Sequence, residues 1–458
     1  MMSNEIDAGP SETSLTPQST RSTTPESVRS ITPEYKRSIT LFDNNDTTGR
    51  VMLNVGAPSV GVLRRAAVLI NEASQARLTS ELDSDCLLLQ YGSPLGDERC
   101  LEALTLFLNK EYQQPVNKND LAITAGASTT LALLLISIFP NKCRIYTEEL
   151  TYFVALKSFS FLSYDTCPVG YKDDGIDVDE LEQIWTRDLT DEVHKSDNKV
   201  NYVACLYLVP HFHNPTGSCL SDEKCHKLIK LARRFKVLII SDDVYNLLSY
   251  EGKPPKRLFA YDSIADKDYG IGCVVSNNSF SKILSPGIRL GWLEMPAMIK
   301  ERYWLRSPIL NSGGGLNYYM GGVLACILEL GGYDHLLQSI RTDNGIKMRH
   351  LISVCNQKLP KDFKFYSEPK GGYFAMIMVP LRINAQGLLN FLRYVCGIRL
   401  HSGDIFSAAG QNTKNERSIY LKNSLRVSIG YLEVPEFKAA IYDLVDCINT
   451  YDSTRKDA

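Results

Sequence analysis

Several features that would place this 458-residue chain in a large class are missing from it. Neither sign of charge dominates: 50 Lys and Arg against 52 Asp and Glu leave a formal charge of -2, which gives no electrostatic footprint for nucleic acid or an anionic membrane. No apolar run approaches the roughly 18 residues that cross a bilayer. "LALLLISIF", Leu131 to Phe139, is long enough only for a buried helix. The twelve cysteines include no C-x-x-C pair, and the seven histidines show no ligand-like spacing with them. This argues against a metal site and for free thiols in a reducing compartment. The opening residues lack the apolar stretch of a secretion signal, and Glu5, Asp7 and Glu12 do not suit an acid-poor transit peptide. A cytoplasmic protein with small-molecule partners is expected, with no nucleic acid and no membrane.

Residues 1–45 are rich in Ser, Thr and Pro, and the stretch from Ser11 to Thr40 holds few large apolar side chains. Such a segment buries too little surface to offset its ordering entropy, so a disordered tail is expected. Thr16-Pro17, Thr24-Pro25 and Thr32-Pro33 are candidate phosphosites in it, with an inert tail equally open.

From Leu121 onward, short β-rich runs alternate with helical ones: "LAIT", a helix through Ile138, "RIYT", "YVACLYLV", the amphipathic "DEKCHKLIKLARRF", "VLIIS" and "GCVVSNN". That alternation predicts an α/β fold with a mainly parallel sheet between helices. Ligands of such sheets sit beyond the carboxyl ends of the strands. Three unusual stretches follow strands. The small-residue turn Ala125 to Ala127, leading into a helix from Ser128, could present bare amides to a phosphate or be an ordinary connection. Asn214-Pro215-Thr216-Gly217 is by itself a turn. Asp242, Asp243 and Tyr245 close an apolar run, where a carboxylate requires a compensating partner.

Together with Ser279-x-Ser281-Lys282-x-x-x-Pro286-Gly287-x-Arg289-x-Gly291, these stretches resemble the fold type I pyridoxal-phosphate enzymes, specifically the class I/II aminotransferases. "LQYGSPLGDERCLEAL", "EELTYFVA", "PKGGYFAM" and "SLRVSIGYLE" extend the match from about Leu53 to the C-terminus. "PHFHNPTG" and "SFSKILSPGIRLGW" look most like the aminoadipate, kynurenine and aromatic aminotransferase branch. The resemblance implies a large cofactor-binding domain over 86–325 and a smaller α+β domain over 326–458, with 46–85 joining the small one.

The resemblance also implies roles. Lys282 would hold the pyridoxal aldehyde and then serve as the proton-moving base. Asp242 would pair with the pyridine nitrogen, Asn214 and Tyr245 would bond the ring oxygen, and Tyr152 would stack on the ring. Ser279, Ser281, Arg289 and the amides of Ala127 and Ser128 would grip the phosphate. Arg426 would clamp the substrate carboxylate, assisted by Asn214 and the backbone at Gly56, unless it is a strand-edge salt bridge. Tyr91 would reach the phosphate of a neighbouring subunit, making a homodimer. The expected reaction passes an amino group from an L-amino acid (aromatic, aminoadipate-like or long aliphatic) to a 2-oxo acid, with 2-oxoglutarate the expected acceptor. A C-S β-lyase and a ligand-sensing regulator of the same fold are the alternatives. Two departures stand out: Ala127 lacks the hydroxyl often found at the phosphate turn, and His401-Ser402-Gly403 replaces a more usual Pro-Gly.

Overall fold

The computed structural model describes residues 51–195, 202–409 and 416–456. The tail and its three Thr-Pro pairs lie outside them.

Seven strands form the central sheet: β1 (Leu121–Thr124), β2 (Ile145–Glu148), β3 (Thr166–Val169), β4 (Ala204–Leu208), β5 (Val237–Asp242), β6 (Val274–Ser279) and β7 (Gly291–Glu294). Their spatial order is β1-β7-β6-β5-β4-β2-β3. β7 alone is antiparallel to its neighbours, so the other six point the same way. β3, which sequence periodicity does not disclose, carries Pro168 and lies at the sheet edge, where a missing N–H costs no ladder bond.

Strand β4 and the first four residues of β5 are almost wholly apolar because both faces of the sheet are covered there. In β4, Cys205 and Tyr207 enter one core while Ala204, Leu206 and Leu208 enter the other. β5 divides the same way, with Leu238 and Ile240 against Val237 and Ile239. This is the strand period of two with each parity meeting its own helix layer. Helices α1 (Val60–Leu82), α2 (Glu98–Tyr112) and α3 (Ala127–Ile138) contribute to the first core. Helices α4 (Val178–Lys195) and α5 (Asp222–Arg234) contribute to the second, where Trp185 packs edge-on against Tyr146 and Phe235.

A separate antiparallel sheet, in order β8-β9-β11-β10, comprises β8 (Lys364–Phe365), β9 (Phe374–Met378), β10 (His401–Ser402) and β11 (Ser424–Ser428). Its core is closed by α7 (Ala385–Tyr394), α8 (Val434–Lys456) and the second half of α6 (Gly332–Lys358). Helix α6 belongs to both cores: Tyr333, Leu336 and Ile340 pack in the large one, and Met348, Leu351 and Val354 in the small one. Within 46–85, Leu53 enters the small core, whereas Val62, Ala66 and Ala73 of α1 pack in the large one.

Trp185→Ala should cost about 3–5 kcal/mol of stability by leaving a cavity under the sheet. Chemical denaturation measures that loss, and cofactor uptake at ambient temperature should be retained.

Candidate active site

Lys282 follows β6 and is half-buried, and its Nζ donates to the carbonyl of Gly56 at 2.6 Å. Burial, reinforced by the Arg426 charge and opposed by Asp242, brings its amine down to about 8. An amine this near neutrality can act as nucleophile and base.

The two adjacent aspartates separate by strand parity. Asp243 accepts from Ser241 Oγ at 2.9 Å and from Ser276 Oγ, a self-contained structural arrangement. Asp242 accepts from the Tyr207 hydroxyl at 2.6 Å through Oδ2, and its buried Oδ1 has no partner. Burial pushes the Asp242 carboxyl up to about 6, with the Tyr207 bond opposing. A cationic nitrogen placed at Oδ1 would satisfy that orphaned acceptor. Tyr207 is missing from the sequence-based site. Its only signal is a hydroxyl in a strand buried on both faces.

Arg426 lies on β11, flanked by β9 and β10, so it is not at a strand edge. It is 3% exposed, and among the described residues no carboxylate lies within ion-pair distance, which removes the salt-bridge alternative. Nη1 donates to Asn214 Oδ1 at 2.9 Å and Nη2 to the Asn54 carbonyl at 2.6 Å, while Nε has no partner. The guanidinium sits 4.0 Å from the Phe374 ring centre and 4.8 Å from that of Phe406. Burial lowers its proton affinity to about 10, so it remains a cation at neutral pH. A buried cation held only by neutral oxygens is suited to receive an anion.

The remaining expected residues, Tyr91 excepted, fall around these three. Tyr245 is buried, its ring edge-on to Phe374, and burial pushes its phenol well up. Tyr152 is half-buried, and its phenol is pushed up to about 12 by burial and by Asp242, with Arg426 and a hydrogen bond with Ser128 opposing. The first turn of α3 begins at Ala127, one residue earlier than expected, with Gly126 as an N-cap that supplies no side-chain acceptor. Its amides are therefore left for an external anion. Arg289 lies against this turn: Nη2 reaches the Ala125 carbonyl at 3.4 Å, and a Cβ on Gly126 would come within 2.9 Å of the same nitrogen. Arg289 takes a φ of 51°, and Asn317 donates to the carbonyls of Ile288 and Arg289, pinning the turn. Ser279 Oγ donates to Ser281 Oγ at 2.9 Å. Tyr91 is 77% exposed and stands apart from this cluster.

An amine, an unsatisfied carboxylate oxygen, an uncapped helix start faced by an arginine, and a buried arginine without a counter-ion together fit pyridoxal phosphate and an amino-acid carboxylate. Fold and site define a fold type I pyridoxal-phosphate enzyme. The family described as "Aminotransferase class I and II" matches residues 50–324, and the chain belongs to it. The aromatic-amino-acid aminotransferase 1 of Thermococcus litoralis is 26% identical over 363 residues, covering 79% of this chain and 80% of that protein. Two solved structures share the fold at a TM-score of 0.70. One is a kynurenine aminotransferase of Pyrococcus horikoshii in complex with PMP, 23% identical and covering 88% of this chain and 91% of that one. The other is an α-aminoadipate aminotransferase of Thermus thermophilus complexed with N-(5'-phosphopyridoxyl)-L-leucine, 19% identical and covering 89% and 94%. The protein is a pyridoxal-phosphate-dependent aminotransferase acting on amino and oxo acids. Among the described residues no helix is long and apolar enough to cross a membrane, and no group of His, Cys, Asp and Glu could hold a metal ion.

In cofactor-free protein, labelling of Lys282 by an amine reagent should rise through about pH 8 and then level, because the reactive neutral amine accumulates above that value. Arg426→Met should move the midpoint up, by removing a cation that disfavours the ammonium. Asp242→Asn should move it down. Peptide-mapped mass spectrometry across pH reads all three.

Proposed function

We propose that this aminotransferase takes aromatic, aminoadipate-like or long aliphatic L-amino acids as donors and 2-oxoglutarate as acceptor. The observation that carries this reading is Arg426, a buried cation without a carboxylate, walled by Phe374 and Phe406. Phe153 extends the aromatic wall, edge-on to Phe406 at 5.7 Å. Of the two arginines whose charges act on Lys282, Arg289 lies on the α3 turn, which leaves Arg426 for the substrate. A single carboxylate clamp does not require an acidic side chain in the donor, and the aromatic wall favours an aromatic one. The substrates named for the three relatives agree with this range.

Bound pyridoxal phosphate supplies an electron sink for the bonds at the substrate Cα. Asp242 Oδ1, the open acceptor, would hold the proton on the ring nitrogen. Asn214 Oδ1 is taken up by Arg426, which leaves Nδ2, with the Tyr245 hydroxyl, to donate to the ring oxygen. Tyr152 would stack on the ring. The amides of Ala127 and Ser128, the hydroxyls of Ser279 and Ser281 and the Arg289 fork would bind the phosphate. Lys282 Nζ takes the Cα proton, and Arg426, with the backbone at Gly56, orients that Cα. The large and small domains at 86–325 and 326–458 are proposed on the two sheets and their separate cores.

A cytoplasmic homodimer with composite sites is part of the reading. A Cβ on Gly314 would lie 2.3 Å from the Gly92 nitrogen, so the Tyr91–Gly92 turn is pressed onto Gly314 and holds Tyr91 outward, where a second copy could meet it.

An aromatic donor alone should release one equivalent of its 2-oxo acid, and 2-oxoglutarate should reverse the accompanying spectral change. Arg426→Ala should lower kcat/KM in both half-reactions by about a hundredfold, as expected when a bond to a buried charge worth roughly 3 kcal/mol is lost. Ammonia and pyruvate released from a cysteine conjugate without an acceptor would instead indicate the lyase.

Mixing Lys282→Ala with Tyr91→Phe subunits should restore up to about half of normal activity, from one intact composite site per heterodimer. Demonstrably mixed dimers without recovery would remove Tyr91 from the site.

A further inference from the structure

A cleft of about 600 Å³ lies between the end of α2, the loop through Gly252 and helix α6. None of its lining residues belongs to the cluster around Lys282. Four cations line it, Lys110, Lys253, Arg341 and Arg349, against one acid, Glu111. Arg341 spends its charge on Glu111 at 2.7 Å, and Lys110 is paired with Asp334 outside the cleft. Lys253 and Arg349 form no ion pair among the described residues.

Exposed cations on a helix are ordinarily solvated and carry no meaning. Arg349 differs because the helix is adapted to it. Gly345, one turn earlier in the interior of α6, has an ordinary helical backbone, and glycine there costs about 1 kcal/mol relative to alanine. A Cβ at that position would come within 3.2 Å of Arg349 Nη1 and 3.4 Å of Tyr250 Cβ. The bare Cα thus lets the guanidinium fold back across the helix towards Tyr250 and the cleft wall. An unpaired arginine fork guided into a recess, with Lys253 and Lys110 at its rim, matches the planar, multiply charged face of a phosphate group. The recess concentrates the field of these charges beyond what isolated surface cations produce.

We propose that this cleft is a second anion site that binds a small phosphate-bearing molecule, apart from the site that holds the cofactor. The test uses enzyme fully loaded with pyridoxal phosphate, so that the cofactor's own phosphate site is filled. Inorganic pyrophosphate is titrated into it by calorimetry at low salt, with sulfate as the control anion. Saturable binding of one pyrophosphate per chain, tighter than sulfate, is expected. Arg349→Ala combined with Lys253→Ala should weaken it about tenfold or more, as befits two charge-assisted contacts. Gly345→Ala retains every charge and favours the helix, yet should weaken binding about threefold by displacing the guanidinium, a change of less than one decade. No saturable binding, equal binding of sulfate, or unchanged affinity in the double variant would overturn the site. Unchanged affinity in Gly345→Ala would overturn the account of how Arg349 is aimed.

Discussion

The active site depends on keeping Arg426 charged where water does not reach it. Removing a guanidinium from water costs several kcal/mol unless hydrogen bonds or a counter-ion replace the lost solvation. Here the replacement is partial: one amide oxygen from Asn214, one backbone carbonyl from Asn54 and two aromatic faces. Each comes from a different segment, so the loop after β4, the chain at 54–57, strand β9 and the turn after β10 must assemble around that one cation. Its unsatisfied Nε and the lack of a carboxylate make the site incomplete until a substrate anion arrives.

The same charge sets the chemistry next to it. Lys282 lies between Arg426, which disfavours its ammonium, and Asp242, which favours it, with burial the largest influence. Asp242 is itself pushed up by burial, and the Tyr207 bond restrains that rise. The bond occupies Oδ2 and leaves Oδ1 as the open acceptor. A buried network with one group deliberately unsatisfied is costly in a core and useful where a ligand completes it.

What could be read from the sequence follows from strand topology. Parallel strands deliver their carboxyl ends to one edge, so polar residues following "YVACLYLV", "VLIIS" and "GCVVSNN" were bound to converge, and Asn214, Asp242 and Lys282 do. The contacts between segments could not be read. Tyr207 looks like any core residue of β4 until its hydroxyl is placed on Asp242, and Phe374 and Phe406 bracket Arg426 only through the packing of the small sheet. The pairing of β9 with β11, which sets Met376 opposite Arg426, leaves no trace in either strand's own pattern. Helix α1 misleads for a related reason: its neighbour in sequence, Leu53, belongs to the small core, while its own apolar face packs in the large one.

That short stretch before α1 closes the site. Leu53 donates to the Arg399 carbonyl and accepts from the Ser428 amide, and Ser428 Oγ donates to the Val55 carbonyl, so the chain is sewn along the small sheet. Further along, Gly56 lies so flat on Phe374 that a Cβ would come within 2.6 Å of the ring. Stitched in this way, two carbonyls two residues apart are aimed at the two essential cations, Asn54 at Arg426 and Gly56 at Lys282. Neutral carbonyls hold a cation more weakly than a carboxylate would, so each can give way to a charged or covalent partner without leaving a buried anion behind. A side chain at Gly56 would have to displace the Phe374 ring or lift this segment off it, and either shift disturbs the carbonyls that hold both cations.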